Sequence, residues 1–364
     1  MNREPVLVPV QQLETHCARC VQPFRMDGRL HLAVAQFARD IEGEMPSMHA
    51  GDSGIPTALY RWEGNGFAPT GELPSQGGED AEYFEIGGRQ FLAVANIRSG
   101  AGPYEYDVES VIYERHEWRW LEFQAVPSFG AKQWRHFVIE GQHFLALAQG
   151  ILVPGLETRH PATSRIYRWN GQGFEEFQVL EGRWGYNWTH VEYMGRHFLA
   201  YADHLLRSPV LEWREGRFQP WLEMDEEGGR AFAFFQEEGE LLGVFASISG
   251  RTLLGRFSDQ GFNALQDLGG PGGRELALLE HQGQRYLARV SFITGGREAP
   301  QTVQESELFQ WRSGRFHKVA GFTTHGGTSA AWFLVDGQPH LAVANSLSPE
   351  VRFRNHSQVY RLNT

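Results

Sequence analysis

The chain has 364 residues and a formal net charge of −11, with 33 lysines and arginines against 44 aspartates and glutamates. The basic residues are scattered singly, so no stripe could neutralise a run of phosphates, and nucleic acid is not an expected partner. No apolar run approaches the roughly 20 residues that span a bilayer, and the N-terminal MNREPVLVPV has no signal-peptide pattern. These features predict a soluble cytoplasmic protein without membrane insertion, although a processed form of a secreted protein would look the same.

The segment FLAVAN, at Phe91 to Asn96, recurs in close copies along the chain. The copies are roughly 50 residues apart, a spacing found in β-propellers. Seven copies predict seven blades, and stacked blades share one continuous core, so the length does not require several domains. The leucines that mark the copies are Leu32, Leu92, Leu145, Leu199, Leu242, Leu287 and Leu341.

Each repeat divides into four short strands, which we name A to D. An alternating apolar segment that ends at a glycine predicts strand A and a tight hairpin. The FLAVAN-like segment predicts strand B, whose alanines suit close contact between blades. IYRW (Ile166 to Trp169) is an example of strand C, and GQGFEEFQ (Gly171 to Gln178) of the turn into strand D. The hairpin glycines are Gly28, Gly88, Gly141, Gly195, Gly239, Gly283 and Gly337.

The two ends of the chain are predicted to share the last blade. The seventh repeat stops after its strand C, at Leu362, while Val6 to Gln11 has the character of a strand D with no strands before it. Their pairing would close the ring and protect its seam. We therefore predict an all-β fold, a single seven-bladed β-propeller domain of four-stranded blades over residues 1–364. The predicted blades cover approximately 15–71, 72–126, 127–180, 181–223, 224–266, 267–320, and 321–364 plus 4–12.

The combination of FLAVAN, SRIYRW (Ser164 to Trp169) and GQGFEEFQ resembles the EPTP or epilepsy-associated repeat (EAR) of the leucine-rich glioma-inactivated proteins. The resemblance covers essentially the whole chain. It implies a seven-bladed β-propeller that works as a protein-interaction module, in animals an extracellular one that binds membrane receptors. The matching residues are structural ones, so the resemblance is specific for the fold and does not identify a ligand.

The predicted strand order creates two faces that differ in loop length. The A–B and C–D turns are short, while the B–C and D–A connections are long and make the expected binding surface, the long-loop face. Tyr104, Tyr106 and Trp184 are expected to be exposed there, where aromatic rings suit stacking against a sugar or a peptide. The largest loops are predicted at Phe37 to Pro56, Ile97 to Glu109, Ile151 to Thr163, Phe292 to Glu305 and Ser346 to His356.

Strand B ends on this face in a polar residue. We predict Asn96, Gln149, Asp203 and the following His204 as ligand-binding residues. Alternatively, these side chains cap the strand ends and hold water. The residues at the ends of the seven B strands form a predicted ring: Gln36, Asn96, Gln149, Asp203, Ser247, Ser291 and Asn345. Asp203 is the one carboxylate in this ring, which is little negative charge for binding a cation.

Charged residues occur three positions before several hairpin glycines, on the strand predicted to be innermost. They are Arg25, Glu85, Glu192 and Glu280. Charges inside a protein need partners or solvent, so we expect these residues to line a water-filled central channel. The functional alternative is a carboxylate set that binds a cation or acts as acid and base. Apart from such a cation in the channel, no cofactor is predicted.

Histidine offers the one catalytic alternative. His136 and His190 occupy the same strand A position in successive blades, and with Asp203 they could form a metal or general-base site. An enzyme of this kind would be a metal-assisted hydrolase or lyase at the channel mouth. Cys17 and Cys20 resemble half of a zinc site, but no second CxxC exists and two free thiols are expected.

Taken together, the sequence predicts a non-catalytic binding propeller. We expect a monomer that presents the long-loop face to a protein or carbohydrate ligand. No motif for a catalytic serine or for a phosphate-binding loop supports another reaction class.

Overall fold

The computed structural model describes residues 5–296 and 299–364. All regular secondary structure within these ranges is β-strand, and no helix in them is long and apolar enough to cross a membrane. The described strands, in chain order, are β1 (Val6–His16), β2 (Ala18–Met26), β3 (Arg29–Gln36), β4 (Thr57–Trp62), β5 (Phe67–Leu73), β6 (Gly78–Ile86), β7 (Arg89–Asn96), β8 (Asp107–His116), β9 (Arg119–Phe129), β10 (Gln133–Ile139), β11 (Gln142–Ala148), β12 (Arg165–Trp169), β13 (Phe174–Val179), β14 (Gly185–Tyr193), β15 (Arg196–Asp203), β16 (Pro209–Arg214), β17 (Arg217–Glu223), β18 (Gly229–Glu237), β19 (Glu240–Ser247), β20 (Thr252–Ser258), β21 (Gly261–Gly269), β22 (Gly273–His281), β23 (Gln284–Ser291), β24 (Val303–Arg312), β25 (Arg315–His325), β26 (Gly327–Val335), β27 (Gln338–Asn345) and β28 (Arg354–Asn363).

These strands form seven four-stranded sheets, the blades of a β-propeller. Blades 1 to 6 each use four consecutive strands in the spatial order A, B, C, D, from β2–β5 in blade 1 to β22–β25 in blade 6. The predicted fold class is confirmed. The fifth repeat, in which Leu241 to Phe245 replaces FLAVA, forms a complete blade, β18–β21.

The two ends of the chain meet in blade 7, whose strand order is β1-β28-β27-β26. β1 pairs antiparallel with β28 from Val6 opposite Asn363 to His16 opposite Arg354, with a register shift between Pro9 and Gln11. The predicted closure by the N-terminal strand is confirmed. The strand extends to His16 rather than to residue 12, and residue 4 of the predicted strand lies outside the described residues.

The chain forms two compact units. Unit 1 consists of the described residues of Met1–Ala81, Ser99–Tyr104 and Arg274–Thr364, and it contains blades 6, 7 and 1. Unit 2 consists of Glu82–Arg98 and Glu105–Gly273, and it contains blades 2 to 5. The boundary runs through β6, whose residues up to Ala81 belong to unit 1.

The core lies between successive blades within each unit. Strand B is its densest part, and all five residues from Phe91 to Ala95 are fully buried. The cluster between blades 2 and 3 combines Phe91 with Trp134 of the next strand A, and the cluster between blades 3 and 4 combines Phe144 with Trp188 in the same way. Small and large residues on facing strands therefore fill the space between blades.

A phenylalanine at the start of strand D connects a blade to the one before it. In blade 3 the ring of Phe174 lies edge-on to Phe84 of blade 2, with centroids 5.8 Å apart, and to Trp169 of its own blade at 5.2 Å. Gln124, from strand D of blade 2, donates from Nε2 to the Phe174 carbonyl at 2.7 Å and accepts from its N–H at 2.9 Å. Both the side chain and the backbone of Phe174 are thus held by the preceding blade.

The same contact recurs twice. Phe218 packs against Phe137 at 5.8 Å, and Gln178 binds its backbone N–H and carbonyl. Phe67 packs against Phe333 at 5.4 Å, and Gln11 binds it in the same way at 2.7 Å in both directions. Gln178 is the last residue of GQGFEEFQ, so that part of the motif connects blades.

Two histidine pairs extend this packing in unit 2. His136 stacks on Phe84 with ring centroids 4.6 Å apart, and its Nε2 lies 3.0 Å from Nδ1 of His143 on strand B. His190 stacks on Phe137 at 4.9 Å, and its Nε2 lies 3.2 Å from Nδ1 of His197. Burial, with smaller contributions from nearby positive charge, lowers the pKa of His136 to about 3 and that of His190 to about 4.

Replacing Gln11 with alanine should destabilise the closure of the ring. The variant removes both hydrogen bonds to the buried Phe67 backbone, and we expect a loss of about 2 kcal/mol in the free energy of unfolding. Chemical denaturation of the purified protein measures it. Gln12→Ala is the matched control, because Gln12 is exposed on the same strand. Equal stability of the two variants would show that the glutamine does not hold the phenylalanine.

The histidine pairs should make the protein sensitive to acid. A lowered pKa in the folded state means that the unfolded chain takes up protons first, so stability present above about pH 6.5 is lost as the pH falls toward 4. The loss is at most about 1.4 kcal/mol per pH unit for each histidine. The double variant His136→Phe, His190→Phe should therefore show a flatter dependence of melting temperature on pH.

Phenylalanine suits both positions because Phe234 occupies the corresponding place in blade 5. His317→Phe, at an exposed site on β25, is the control and should keep the wild-type dependence. A double variant as acid-sensitive as the wild type would assign the sensitivity to other groups.

Candidate functional site

The long-loop face has the predicted distribution of loops. The B–C connections are long in blade 1 (37–56), blade 2 (97–106), blade 3 (149–164), blade 6 (292–302) and blade 7 (346–353), and short in blades 4 (204–208) and 5 (248–251). Three loops end earlier than predicted because strand C begins at Asp107, Val303 and Arg354. Residues 297 and 298 of the predicted blade 6 loop lie outside the described residues.

The polar residues at the ends of strand B are buried. Asn96 is 2% exposed and Gln149 is fully buried. The Asn96 amide donates to the Glu109 carbonyl at 2.8 Å, and the Gln149 amide donates to the carbonyls of Pro161 and Thr163 at 2.8 and 2.7 Å. These hydrogen bonds cap the strand ends and attach the B–C loops, as the alternative has it, and the assignment of Asn96 and Gln149 as ligand-binding residues stays a prediction.

Asp203 has the same role with more hydrogen bonds. Its Oδ2 accepts from the N–H groups of Arg183 and Trp184 at 2.9 and 3.1 Å, and its Oδ1 accepts from Leu205 and Leu206 at 2.8 Å each. The side chain is fully buried. It therefore connects the loop before strand A of blade 4 to the loop after strand B and fixes the backbone of Trp184.

Glycine allows these loops to come close together. A Cβ atom on Gly185 would lie 2.3 Å from the Tyr201 hydroxyl and 2.7 Å from Oγ of Ser164. The Tyr201 hydroxyl bonds to Ser164 at 2.8 Å and to Asp203 at 3.3 Å. Any larger residue at position 185 would push apart the loops that Asp203 holds.

Five side chains of unit 2 meet above this support, and we call them the aromatic–cation cluster: Lys132, Trp184, Tyr186, His204 and Arg230. The guanidinium carbon of Arg230 lies 3.8 Å from the centroid of the Tyr186 ring, and Nζ of Lys132 lies 5.4 Å from the same centroid. Nη1 of Arg230 donates to Nδ1 of His204 at 3.1 Å. The Trp184 ring meets His204 edge-on at 5.0 Å.

The cluster brings positive charge into a partly buried setting. Lys132 is 9% exposed and Arg230 is 5% exposed, whereas Trp184, Tyr186 and His204 are partly exposed. The face of an aromatic ring attracts a cation, which stabilises both charges against burial. Because Nδ1 of His204 accepts from an arginine, the His204 ring carries its proton on Nε2.

Sequence reasoning predicted Trp184 and His204 of this cluster and placed Tyr186 among the aromatic residues of the same face, but it missed Lys132 and Arg230. The missed residues, like Tyr186, lie nine positions before a hairpin glycine, at the start of strand A. Aligning the seven repeats at this column would have shown a series of mostly polar or charged residues in a strand that is otherwise apolar. The column contains Arg19, Glu79, Lys132, Tyr186, Arg230, Arg274 and Thr328.

Unit 1 has its own polar contacts on the long-loop face. The guanidinium of Arg19 lies 4.6 Å from the Phe37 ring centroid, and its Nε is 3.6 Å from Oε1 of the buried Glu79. The predicted residue Tyr104 is partly buried and donates from its hydroxyl to the Gly51 carbonyl at 2.9 Å. It thus connects the blade 1 loop to residues 99–104 while part of its ring stays accessible.

The loop of blade 3 is fixed by Asp107 of unit 2. The Asp107 carboxylate accepts hydrogen bonds from the Thr158 hydroxyl and from the N–H groups of Arg159 and His160, at 2.5, 2.8 and 3.1 Å. Burial raises the pKa of Asp107, but these hydrogen bonds outweigh burial and lower the pKa to about 2. Tyr106 is partly buried beside it, against Phe129.

The residues predicted to line a channel are exposed, which explains how strand A accommodates their charges. Arg25 donates to the Leu334 carbonyl at 2.8 Å, and Glu280 accepts from Arg285. Glu85 accepts from the Tyr83 hydroxyl, and the Glu192 carbonyl accepts from Gln236. Each of the four is therefore solvated and bonded within its own unit.

The predicted catalytic set is not brought together. His136 and His190 each bond to a histidine of their own blade. On β14, His190 is opposite Leu199 while Asp203 is opposite Gly185. The offset of four residues along β15, from Leu199 to Asp203, separates His190 from Asp203 by roughly 13 Å along the strand.

No metal centre is evident in the described ranges. Cys17 and Cys20 are buried, and neither is part of a disulfide. Among residues 5–296 and 299–364, no three or more histidine, cysteine, aspartate or glutamate side chains are grouped so that they could hold a metal ion.

Comparisons with known proteins agree with this architecture. A mouse thrombospondin-type laminin G domain and EAR repeat-containing protein is 29% identical over 177 residues, which is 45% of this chain and 25% of that protein. Leucine-rich repeat LGI family member 3 from Macaca fascicularis is 28% identical over 239 residues, 65% of this chain and 38% of that protein. The matched part of the chain thus spans less than half the length of these relatives.

Two further comparisons concern the fold and the repeat. The crystal structure of Saccharomyces cerevisiae Sqt1 superposes with a TM-score of 0.58 at 8% identity, covering 98% of this chain and all of that one, which supports the fold alone. Residues 6–63, 66–116, 121–170 and 173–214 match the EPTP domain. Since these matches include more than half of the residues, the chain belongs to the EPTP domain family.

Proposed function

We propose that this protein is a non-catalytic binding module that presents its long-loop face to a protein or glycan ligand. The observation that carries the proposal is the aromatic–cation cluster. Tryptophan, tyrosine and arginine are enriched at binding surfaces, and Trp184 and His204 lie on loops that the buried Asp203 holds in place. Side chains ordered before binding lose little conformational entropy when a ligand arrives.

The long loops of blades 2 and 3 are also held in place by buried side chains. Asn96, Gln149 and Asp107 attach the long connections of blades 2 and 3 by hydrogen bonds to their backbone. Loops on a rigid scaffold are common places for binding residues. We expect the protein to act as a monomer, with a cofactor not required for binding.

A metal-assisted hydrolase or lyase has less support. A general base needs a partner within hydrogen-bond reach, and the partners of His136 and His190 are other histidines. The low pKa of both rings keeps them neutral over the physiological range, in contact with phenylalanine. This environment favours packing over proton transfer.

The proposal predicts that substitutions on the long-loop face weaken binding. The purified protein is applied to protein and glycan arrays, and the ligands found are titrated with Trp184→Ala and Tyr104→Ala. Removing an aromatic ring from the centre of an interface typically costs at least about 2 kcal/mol, so the affinity should fall about thirtyfold for a residue in contact. Thermal melting confirms that each variant is folded.

Trp118→Ala is the matched control. Trp118 is 70% exposed in the C–D turn of blade 2, on the face with short turns. If the ligand binds both long-loop variants as tightly as the wild type while Trp118→Ala loses it, the binding face is assigned wrongly. Turnover of a substrate that is lost in His190→Ala would instead establish an enzyme.

A further inference from the structure

We propose that the tip of the blade 1 loop binds a soft monovalent metal ion, Cu(I), through the thioether sulfurs of Met45 and Met48 and the imidazole of His49. The three residues lie in one short segment, MPSMH, of the B–C connection of blade 1, and all belong to unit 1. The inference goes beyond the proposed function, because it concerns a metal ion and residues outside the aromatic–cation cluster.

The exposure of these methionines sets them apart from those of the core. Met45 is 83% exposed, Met48 is partly exposed and His49 is exposed. By contrast, Met26 and Met224 are buried, which is the usual place for a flexible apolar side chain. Side chains at the tip of the blade 1 loop contribute little to the core and are accessible to an ion from solvent.

The backbone of the segment brings the three side chains within reach of one ion. The Ala50 N–H donates to the Ser47 carbonyl at 3.3 Å, and the His49 N–H donates to Oγ of Ser47 at 3.2 Å. Met48 and His49 therefore occupy the central positions of a tight turn. Met45 is three residues before Met48, so their Cα atoms are at most roughly 10 Å apart. Two methionine side chains, each with three rotatable bonds, can cover that distance to a shared ion.

The base of the blade 1 loop is closed by Arg39 and Asp52. Their backbone groups exchange two hydrogen bonds, at 3.0 and 2.9 Å, and the Arg39 guanidinium donates to Oδ2 of Asp52 at 2.9 and 2.6 Å. Arg352 of the blade 7 loop donates to the Glu44 carbonyl at 2.9 Å, directly before Met45. A loop whose ends are already held together has less conformational entropy to lose when an ion orders its tip.

The types of ligand select the metal. A thioether sulfur is a soft donor, and soft donors favour Cu(I), whereas Ca²⁺ and Mg²⁺ take oxygen ligands. Zn²⁺ takes thiolate, imidazole and carboxylate ligands. In the part of the chain that the structure describes, no three or more histidine, cysteine, aspartate or glutamate side chains are grouped to hold such an ion. A site built on two methionines and one histidine therefore suits a soft ion.

The charge of the blade 1 loop favours a cation. Glu42 and Glu44 are exposed in the three positions before Met45. Because thioethers and a neutral imidazole do not balance the charge of a bound ion, nearby carboxylates supply the attraction. One positive charge needs less compensation than two, which again favours Cu(I) over a divalent ion.

Nuclear magnetic resonance of the full chain, isotope-labelled at its methionine methyl groups, tests the site directly. Ag(I) replaces Cu(I) in this titration, because it is an air-stable soft ion of the same charge. The methyl signals of Met45 and Met48 should shift together and stop shifting at one equivalent of Ag(I). Met194 is the internal control: it is 72% exposed, and its turn contains no second methionine, so its signal should respond only after the other two are saturated.

Anaerobic competition with the Cu(I) chelator bicinchoninate measures the affinity. Met45→Leu, Met48→Leu and His49→Ala should each lower it about tenfold or more, since even groups that only orient a metal ligand typically contribute about 10- to 100-fold. Leucine and methionine have similar volumes, so the leucine variants should stay folded. Met194→Leu is the matched control and should leave the affinity unchanged.

Cys17 and Cys20 are kept in every variant, so any Cu(I) that their thiols bind is common to all of them. A Met194 signal that shifts as early as those of Met45 and Met48 would overturn the inference, because it would show that any exposed thioether binds the ion. An affinity unchanged in both leucine variants of the loop, an equal response to Zn²⁺, or no response to Ag(I) would overturn it as well.

Discussion

The phenylalanine that begins strand D, held by the preceding blade, is the contact on which the rest of the structure depends. A four-stranded sheet of this size cannot bury both of its faces, so each blade needs its neighbour. Burial of one such ring stabilises the fold by about 2 kcal/mol, and the glutamine that binds its backbone determines the orientation of the next blade. At Phe67 the same contact joins blade 1 to blade 7 within unit 1.

The contacts between blades fix strands A and B, and the residues at the ends of strand B in turn hold the loops of the long-loop face. Because strands A and B are held in the core, the side chains at their ends reach the loops from fixed positions. The side chains of Asn96, Gln149 and Asp203 then bind the backbone of these loops. The Trp184 backbone is fixed as a consequence, and the His204 N–H in turn donates to the Trp184 carbonyl at 2.9 Å.

Much of the fold could be predicted from the sequence, because a repeat shows the same pattern seven times and its glycines mark the hairpins. The role of the polar residues at the ends of strand B was harder to predict. A polar side chain at a strand end either faces solvent or turns back to bond with the loop backbone, and a glutamine such as Gln149 can do either. Lys132 and Arg230 were missed for a different reason. Their column holds arginine, glutamate, lysine, tyrosine and threonine in different blades, so no conserved letter marks it.

The two ends of strand A accommodate charged side chains in different ways. Near the hairpin, Glu85 and Glu192 are exposed, so their charges cost the fold little. At the opposite end Lys132 and Arg230 are buried beneath loops, where a cation destabilises a protein unless other groups compensate. The contacts of Arg230 with the Tyr186 ring, with Nδ1 of His204 and with the carbonyls of Gly228 and Gly229 provide such compensation. The start of strand A therefore tolerates a buried cation only because the ring and the acceptors around it are part of the same fold.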